Sequence, residues 1–124
     1  MGLRYPSVEC RRTGKAEALL EAGGAISVQV LNEFVNVSRR KLGRGWDDIG
    51  EALGVLKILL DPPLPLTVEV HETAVRLARD NGWSIYDGLI VAAALRAGCD
   101  VLYSEDMQHG RTVERLTIRN PFVA

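Results

Sequence analysis

The sequence predicts an α/β fold of three layers, α/β/α, with a mainly parallel central sheet. Three observations lead to this class. Short apolar segments alternate with longer helix-forming ones, which is typical of parallel strands connected by helices. Several of the longer segments begin after a Ser or Thr and end at a Gly or before a Pro, as helices do. One of them, 85–97, is nearly all apolar or alanine after its first turn, which indicates a helix buried on more than one side.

The elements follow one another in a regular order. Helices are predicted at 15–21, 28–42, 46–60, 68–80 and 85–97. Short strands or extended pieces are predicted at 25–26, 64–66, 99–104 and 116–118. Ser27, Thr67 and Ser84 are the expected N-caps, because their hydroxyls can accept a bond from the first helical turn. For the helix that opens at Trp46, the expected cap is Asp47 or Asp48. Residues 1–124 are interpreted as one domain, with an atypical first segment at 1–14.

Composition limits the function classes. The chain has 15 basic and 16 acidic residues, a net charge of −1, whereas proteins that coat nucleic acids are usually strongly basic. No apolar run approaches the length of a membrane span, and the N-terminal segment lacks the apolar core of a secretory signal. Cys10 and Cys99 have no metal or disulfide spacing, and Cys99 is expected to be a small buried thiol. A cytoplasmic protein that makes no membrane contact is therefore predicted.

Three carboxylates are the candidate catalytic and metal-binding residues: Glu33, Asp87 and Asp106. Asp106 follows a predicted buried strand, and ligands of open α/β sheets bind outside the carboxyl ends of the strands. Asp87 begins the buried helix. Glu33 borders the apolar face of its helix, where an unpaired carboxylate would cost several kcal/mol. Carboxylates converging at one sheet end suit a hard cation such as Mg²⁺ or Mn²⁺.

Structural roles compete with this interpretation. Ser84 and Asp87 match a capping box, in which Asp87 would only satisfy the start of its helix. Asp106 alone is compatible with an ordinary loop aspartate. A basic group, Arg39, Arg40, Lys41 and Arg44, lies at the end of the second predicted helix. It is a candidate RNA-binding surface, and it is equally compatible with a solvated helix end that complements the dipole.

Four segments carry a resemblance to a known family. Residues 25–34 (AISVQVLNEF) and 83–94 (WSIYDGLIVAAA) resemble the second and third acidic motifs of PIN domains of the VapC toxin type. Residues 102–107 (LYSEDM) resemble the fourth motif, and 116–122 resemble the closing strand. The similarity extends over 15–122 in the family's order.

The resemblance implies a Mg²⁺- or Mn²⁺-dependent ribonuclease of a type II toxin–antitoxin system. Such an enzyme hydrolyses a phosphodiester with metal-activated water. It is usually a homodimer, and a cognate antitoxin holds it inactive. Glu33, Asp87 and Asp106 match the family's metal-binding carboxylates. Ser104 matches a supporting hydroxyl that orients Asp106 or contacts phosphate, and Glu105 is an accessory carboxylate.

The sequence departs from the family at its beginning. PIN domains open with a strand that ends in an aspartate, whereas no aspartate precedes Asp47 here. The first strand is therefore expected to be missing or replaced, with a substitute recruited from the chain's own terminus or from a second copy, because unpaired strand edges at the centre of a sheet are unfavourable. Two functions stay open: an active ribonuclease, or an N-terminally truncated, catalytically impaired module that only binds or dimerises.

Overall fold

Local side-chain bonds start three of the four helices that the structure describes. The computed structural model describes the backbone of residues 9–11 and the whole of residues 25–104 and 107–120. Helix α1 spans Val28–Arg40, α2 Trp46–Leu59, α3 Val68–Asn81 and α4 Ile85–Arg96. The hydroxyls of Ser27, Thr67 and Ser84 accept bonds from the backbone N–H three residues on, at 3.1–3.2 Å. These three predicted caps are confirmed.

The start of α2 differs from the prediction. Its N-cap is Gly45, which has no side chain to make a cap bond, and Asp47 and Asp48 lie in the first turn. Carboxylates in the first turn complement the positive end of the helix dipole. The charges of these two carboxylates therefore stabilise the N-terminus of α2, which has no hydrogen bond from a capping side chain. The predicted helix at 15–21 lies outside the described residues.

The described strands form a mixed sheet in the order β1-β2-β4-β3. The strands are β1 (Glu9–Arg11), β2 (Val101–Tyr103), β3 (Thr112–Val113) and β4 (Leu116–Arg119). Strands β2 and β4 are parallel, whereas β1 and β3 pair antiparallel with β2 and β4. The α/β class is confirmed, but only the central pair of this sheet is parallel. The two-residue connection between β3 and β4 explains part of the difference from the predicted, mainly parallel sheet. So short a connection can join only antiparallel strands.

The N-terminal segment contributes a strand to the sheet. In the register of β1 against β2, Glu9 pairs with Tyr103 and Arg11 with Val101. We expected a substitute for the missing first strand from the chain's own terminus or from a second copy. Strand β1 comes from the terminus, but in the described sheet it lies at an edge and is antiparallel to its neighbour. The predicted strand at 25–26 makes a shorter contact, a parallel bridge in which Val28 and Leu64 donate N–H bonds at 2.8–2.9 Å.

Most of the core lies between α4 and its neighbours. The five consecutive residues from Ile90 to Ala94 are all buried, which confirms the prediction of a helix covered on more than one side. They pack with α1, α3 and the sheet strands β2 and β4 in one large cluster. A second, smaller cluster of Phe34, Ala52 and Leu56 holds α2 against α1.

Two further observations concern the cysteine and the membrane predictions. Cys99 is buried, as expected, but it is disulfide-bonded rather than a free thiol. A disulfide depends on a tertiary contact, so no local pattern predicted it. None of the helices in the described ranges has both the length and the apolar character needed to cross a bilayer.

Candidate functional site

Glu33 lies in the second turn of α1 and is half-buried. The amide of Gln29, one turn earlier, donates a bond from Nε2 to Glu33 Oε2 at 3.2 Å. Gln29 is 7% exposed, so its amide is held by packing rather than by solvent. The half-buried carboxylate of Glu33 therefore accepts a hydrogen bond from a buried amide, and buried polar groups usually have such a partner.

Asp87 is the third residue of α4 and is also half-buried. Its backbone N–H donates to Ser84 Oγ at 3.1 Å, so the serine half of the predicted capping box is formed. Gly88 follows directly, and a Cβ added there would lie 2.6 Å from the carbonyl oxygen of Ala74 on α3. The close approach of α3 and α4 thus leaves no room for a side chain at the position next to Asp87.

Ser104 follows β2 and is fully buried. Its N–H donates to the carbonyl of Arg119 at 2.9 Å, which extends the parallel pairing with β4 by one residue. Its Oγ accepts the N–H of Met107 at 3.3 Å. Glu105 and Asp106, between these two residues, lie outside the described residues. The hydroxyl therefore joins the two ends of the short segment that contains them.

The elements that carry these residues pack around one point of the core. Val30 of α1, Ile90 of α4 and Leu102 of β2 surround one apolar gap, which is too small to hold a water molecule. Glu33 follows Val30 by three residues and Asp87 precedes Ile90 by three, and residues three apart share a helix face. Ser104 follows Leu102 by two. Glu33, Asp87 and Ser104 are thus each close in sequence to a core residue at this packing contact.

The chemistry of these donors fits a hard divalent cation. Carboxylate oxygens are the ligands that Mg²⁺ and Mn²⁺ prefer. Within 25–104 and 107–120, however, the structure brings together no group of three His, Cys, Asp or Glu residues able to hold a metal. Glu33 and Asp87 alone do not make a complete site, and Asp106 lies outside those ranges.

The four predicted RNA-binding residues lie at the junction of α1 and α2. Arg39 and Arg40 end α1, Lys41 is its C-cap, and all three are exposed. Arg39 Nη1 donates to the backbone carbonyl of Arg44 at 2.9 Å. The guanidinium of Arg39 also lies 4.6 Å from the ring centroid of Trp46. The structure therefore brings Arg39, Arg44 and Trp46 together.

Sequence reasoning missed three residues of this region. The spacing of Gln29 and Glu33, four apart on one helix, was the available signal for their contact. Gly88 lies inside a helix, where glycine is unfavourable and often marks a close packing contact. Trp46 was interpreted only as the start of a helix, although an aromatic next to a basic run is a common feature of nucleic-acid surfaces.

Comparison with known proteins agrees with the fold and the motifs. The family model described as PIN domain matches residues 11–114, which is most of the chain. The protein belongs to the PIN domain family. This membership indicates a nuclease-type function, and PIN domains generally use divalent metal ions. A search of curated proteins finds no match.

Proposed function

We propose that the protein is a Mg²⁺- or Mn²⁺-dependent ribonuclease toxin of the VapC type, part of a type II toxin–antitoxin system. One observation carries the proposal: in a PIN domain, Glu33, Asp87 and Ser104 each lie within three residues of a core side chain, and those core side chains pack around one point. The substrate is RNA, and the reaction is hydrolysis of a phosphodiester bond.

Glu33, Asp87 and Asp106 would hold the metal. The bound cation would supply an activated water and neutralise charge on the phosphate. Gln29 positions the carboxylate of Glu33 through its amide, and Ser84 fixes the start of the helix that presents Asp87. Metal affinity commonly depends on such outer partners.

Ser104 and Glu105 have supporting roles in this proposal. Because Ser104 is fully buried and bonded to Met107, its hydroxyl is better suited to holding the segment with Asp106 than to contacting a phosphate. Glu105 serves as an accessory carboxylate next to Asp106.

Cleavage of RNA by the purified protein tests the proposal. We expect cleavage in Mg²⁺ or Mn²⁺ and none in EDTA. Asp87→Asn and Glu33→Gln should each lower the rate at least about a hundredfold, which corresponds to about 2.7 kcal/mol of lost transition-state stabilisation. Glu72→Gln, an exposed carboxylate on α3, is the matched control and should cleave normally. Equal cleavage rates for the wild-type protein and its three variants, Asp87→Asn, Glu33→Gln and Glu72→Gln, would contradict the proposal.

The alternative function is that of a catalytically impaired module that only binds or dimerises. The resemblance implies an aspartate at the end of the first strand, whereas β1 contains no aspartate. Glu9 is the acidic residue of β1, and its backbone pairs with Tyr103, one residue before Ser104. Loss of cleavage in Glu9→Gln would indicate an active enzyme in which Glu9 replaces the aspartate. A folded protein with no cleavage under any metal condition would favour the impaired module.

The partners follow from the same proposal. A cognate antitoxin should suppress both cleavage and the growth defect caused by expression, and the protein should sediment as a homodimer.

A cytoplasmic location is also part of the proposal, although a disulfide is more typical of oxidising compartments. Because Cys99 is buried, intact cells are quenched in acid and the protein is unfolded before Cys99 is alkylated, with and without prior reduction. A thiol that reacts without reduction supports a cytoplasmic location, and one that reacts only after reduction argues against it.

A further inference from the structure

An exposed tryptophan lies within the basic junction of α1 and α2. Trp46 is 63% exposed, although tryptophan is highly buried on average. The Arg39 guanidinium lies over its ring and is anchored by its bond to the Arg44 carbonyl. The arginine therefore orients the indole and covers part of one face, while much of the side chain stays open to solvent.

The charge around this ring is positive. Residues 39–48 contain four basic and two acidic side chains, a net charge of +2 in a chain of net charge −1. The two acidic ones, Asp47 and Asp48, lie in the first turn of α2, where the helix dipole already favours them. Arg40 and Lys41 are exposed on the other side of the junction.

The geometry of α1 connects this junction with the candidate active site. Glu33 and Arg40 are seven residues apart on one helix, so they face nearly the same direction and lie about 10 Å apart along the axis. A chain held next to Glu33 and extended along α1 would therefore reach Arg40, the neighbour in sequence of the arginine that lies over Trp46.

We propose that Arg39, Arg40, Lys41 and Trp46 form a subsite for single-stranded RNA that flanks the cleavage position. The indole of Trp46 stacks on an unpaired base, while Arg40 and Lys41 bind the adjacent phosphates. Stacking platforms combined with cationic side chains are the usual means of holding single strands. The alternative, a cation–π contact that only closes the loop between the helices, does not require the ring to be so exposed. This inference rests on the proposed ribonuclease function.

Binding in EDTA, where cleavage is blocked, tests the subsite separately from catalysis. The probe is a fluorescein-labelled oligouridylate, which has no secondary structure, and the readout is fluorescence anisotropy. Trp46→Ala should weaken binding about 5- to 160-fold, the range for loss of one stacked base. Trp46→Phe should recover most of the lost affinity. Arg40→Gln should lower the slope of log affinity against log salt by about 0.7 for each phosphate that the variant no longer neutralises.

The chain offers a matched control for the aromatic residue. Trp83 also lies under an arginine, with Arg111 at 5.4 Å from its centroid, but it is half-buried against the main core. In Trp83→Phe, where Trp46 is the remaining tryptophan, the RNA should quench the emission. In Trp46→Phe, where Trp83 is the remaining tryptophan, the RNA should not quench the emission. Arg96→Gln, an exposed residue at the end of α4, controls for loss of one positive charge and should bind normally.

The outcomes separate this subsite from the proposed function. Unchanged affinity in Trp46→Ala, absence of quenching in Trp83→Phe, or equal binding of an RNA duplex would overturn the subsite, even if the protein cleaves RNA. Trp46-dependent binding with no cleavage in any metal would contradict the ribonuclease function and leave the subsite standing. Circular dichroism of each variant identifies a folding defect, and in that case quenching in Trp83→Phe decides the question.

Discussion

At the scale of single residues, the candidate site depends on short-range partners. Asp87 has both a structural and a proposed chemical role, because its backbone N–H is bonded to the Ser84 cap while its carboxylate is assigned to the metal. Asp87→Asn keeps the backbone bond and alters only the carboxylate. That substitution therefore distinguishes the two roles, whereas Ser84→Ala would remove the cap and cost about 1 kcal/mol of stability.

Gln29 provides a prediction at this scale. Its buried amide donates to Glu33 Oε2, so Gln29→Leu, of similar size, should leave Glu33 without its partner. We expect the dissociation constant of Mg²⁺ or Mn²⁺ to rise about 10- to 100-fold, as for other outer partners of metal ligands. Titration of the metal, followed by thermal unfolding, measures this constant.

Glu69→Gln, in the first turn of α3, is a control that should keep the wild-type metal affinity. If the metal stabilises Gln29→Leu as strongly as wild type at every concentration, the amide has no part in the site.

At the scale of elements, the packing of α3 on α4 is the tightest constraint. Gly88 lets the two backbones approach, because any Cβ there would lie 2.6 Å from the Ala74 carbonyl oxygen. The carbonyl belongs to the backbone of α3, so no change of side-chain rotamer can relieve this clash. The helices must move apart if the residue is enlarged, and Asp87 would move with them.

Gly88→Ala should therefore destabilise the protein by about 1–3 kcal/mol, the usual cost of overpacking, and lower the cleavage rate as well. Gly54→Ala is the matched substitution, since Gly54 also lies in a helix but has no atom within 4 Å of an added Cβ. It should stabilise the protein by about 0.5–1 kcal/mol. Denaturant unfolding measures both, and a Gly88→Ala protein as stable as Gly54→Ala would show that the packing at Gly88 is not restrictive.

At the scale of the whole molecule, the core is divided unequally. The large cluster joins α1, α3, α4 and the sheet, whereas α2 contacts it mainly through the small cluster of Phe34, Ala52 and Leu56. Besides Trp46, three apolar side chains of α2 are exposed: Val55, Ile58 and Leu59. An apolar groove of about 440 Å³ runs between α1 and α2.

This division predicts a local opening of α2. Because local stability follows buried apolar contact, amide hydrogens of α2 should exchange faster than those of α4 under native conditions. Leu56→Ala should enlarge that difference, whereas Ala92→Gly in the large cluster should lower the protection of both helices. Hydrogen exchange measured by mass spectrometry or NMR tests this, and equal protection of α2 and α4 would mean that the two clusters unfold as one.

The sequence alone was sufficient for features that depend on neighbours three or four residues apart. The caps Ser27, Thr67 and Ser84 were predicted correctly. Helix α3 ends one residue beyond its predicted bound of 80, before Gly82, whose φ of +70° suits glycine. The PIN resemblance was also readable, because its motifs are continuous segments that begin at strands and helix starts. The family model confirms that resemblance over residues 11–114.

Tertiary contacts decided the rest, because each of these features joins residues distant in the chain or depends on the packing around them. The antiparallel pairing of β1 with β2, the disulfide at Cys99 and the contact of Gly88 with Ala74 belong to this group. So does the environment of the candidate site: the spacing of Gln29 and Glu33 was compatible with their contact, but only packing showed that the Gln29 amide is buried. Likewise, the basic run at 39–44 was visible in the sequence, whereas its stacking on an exposed Trp46 required the turn between α1 and α2.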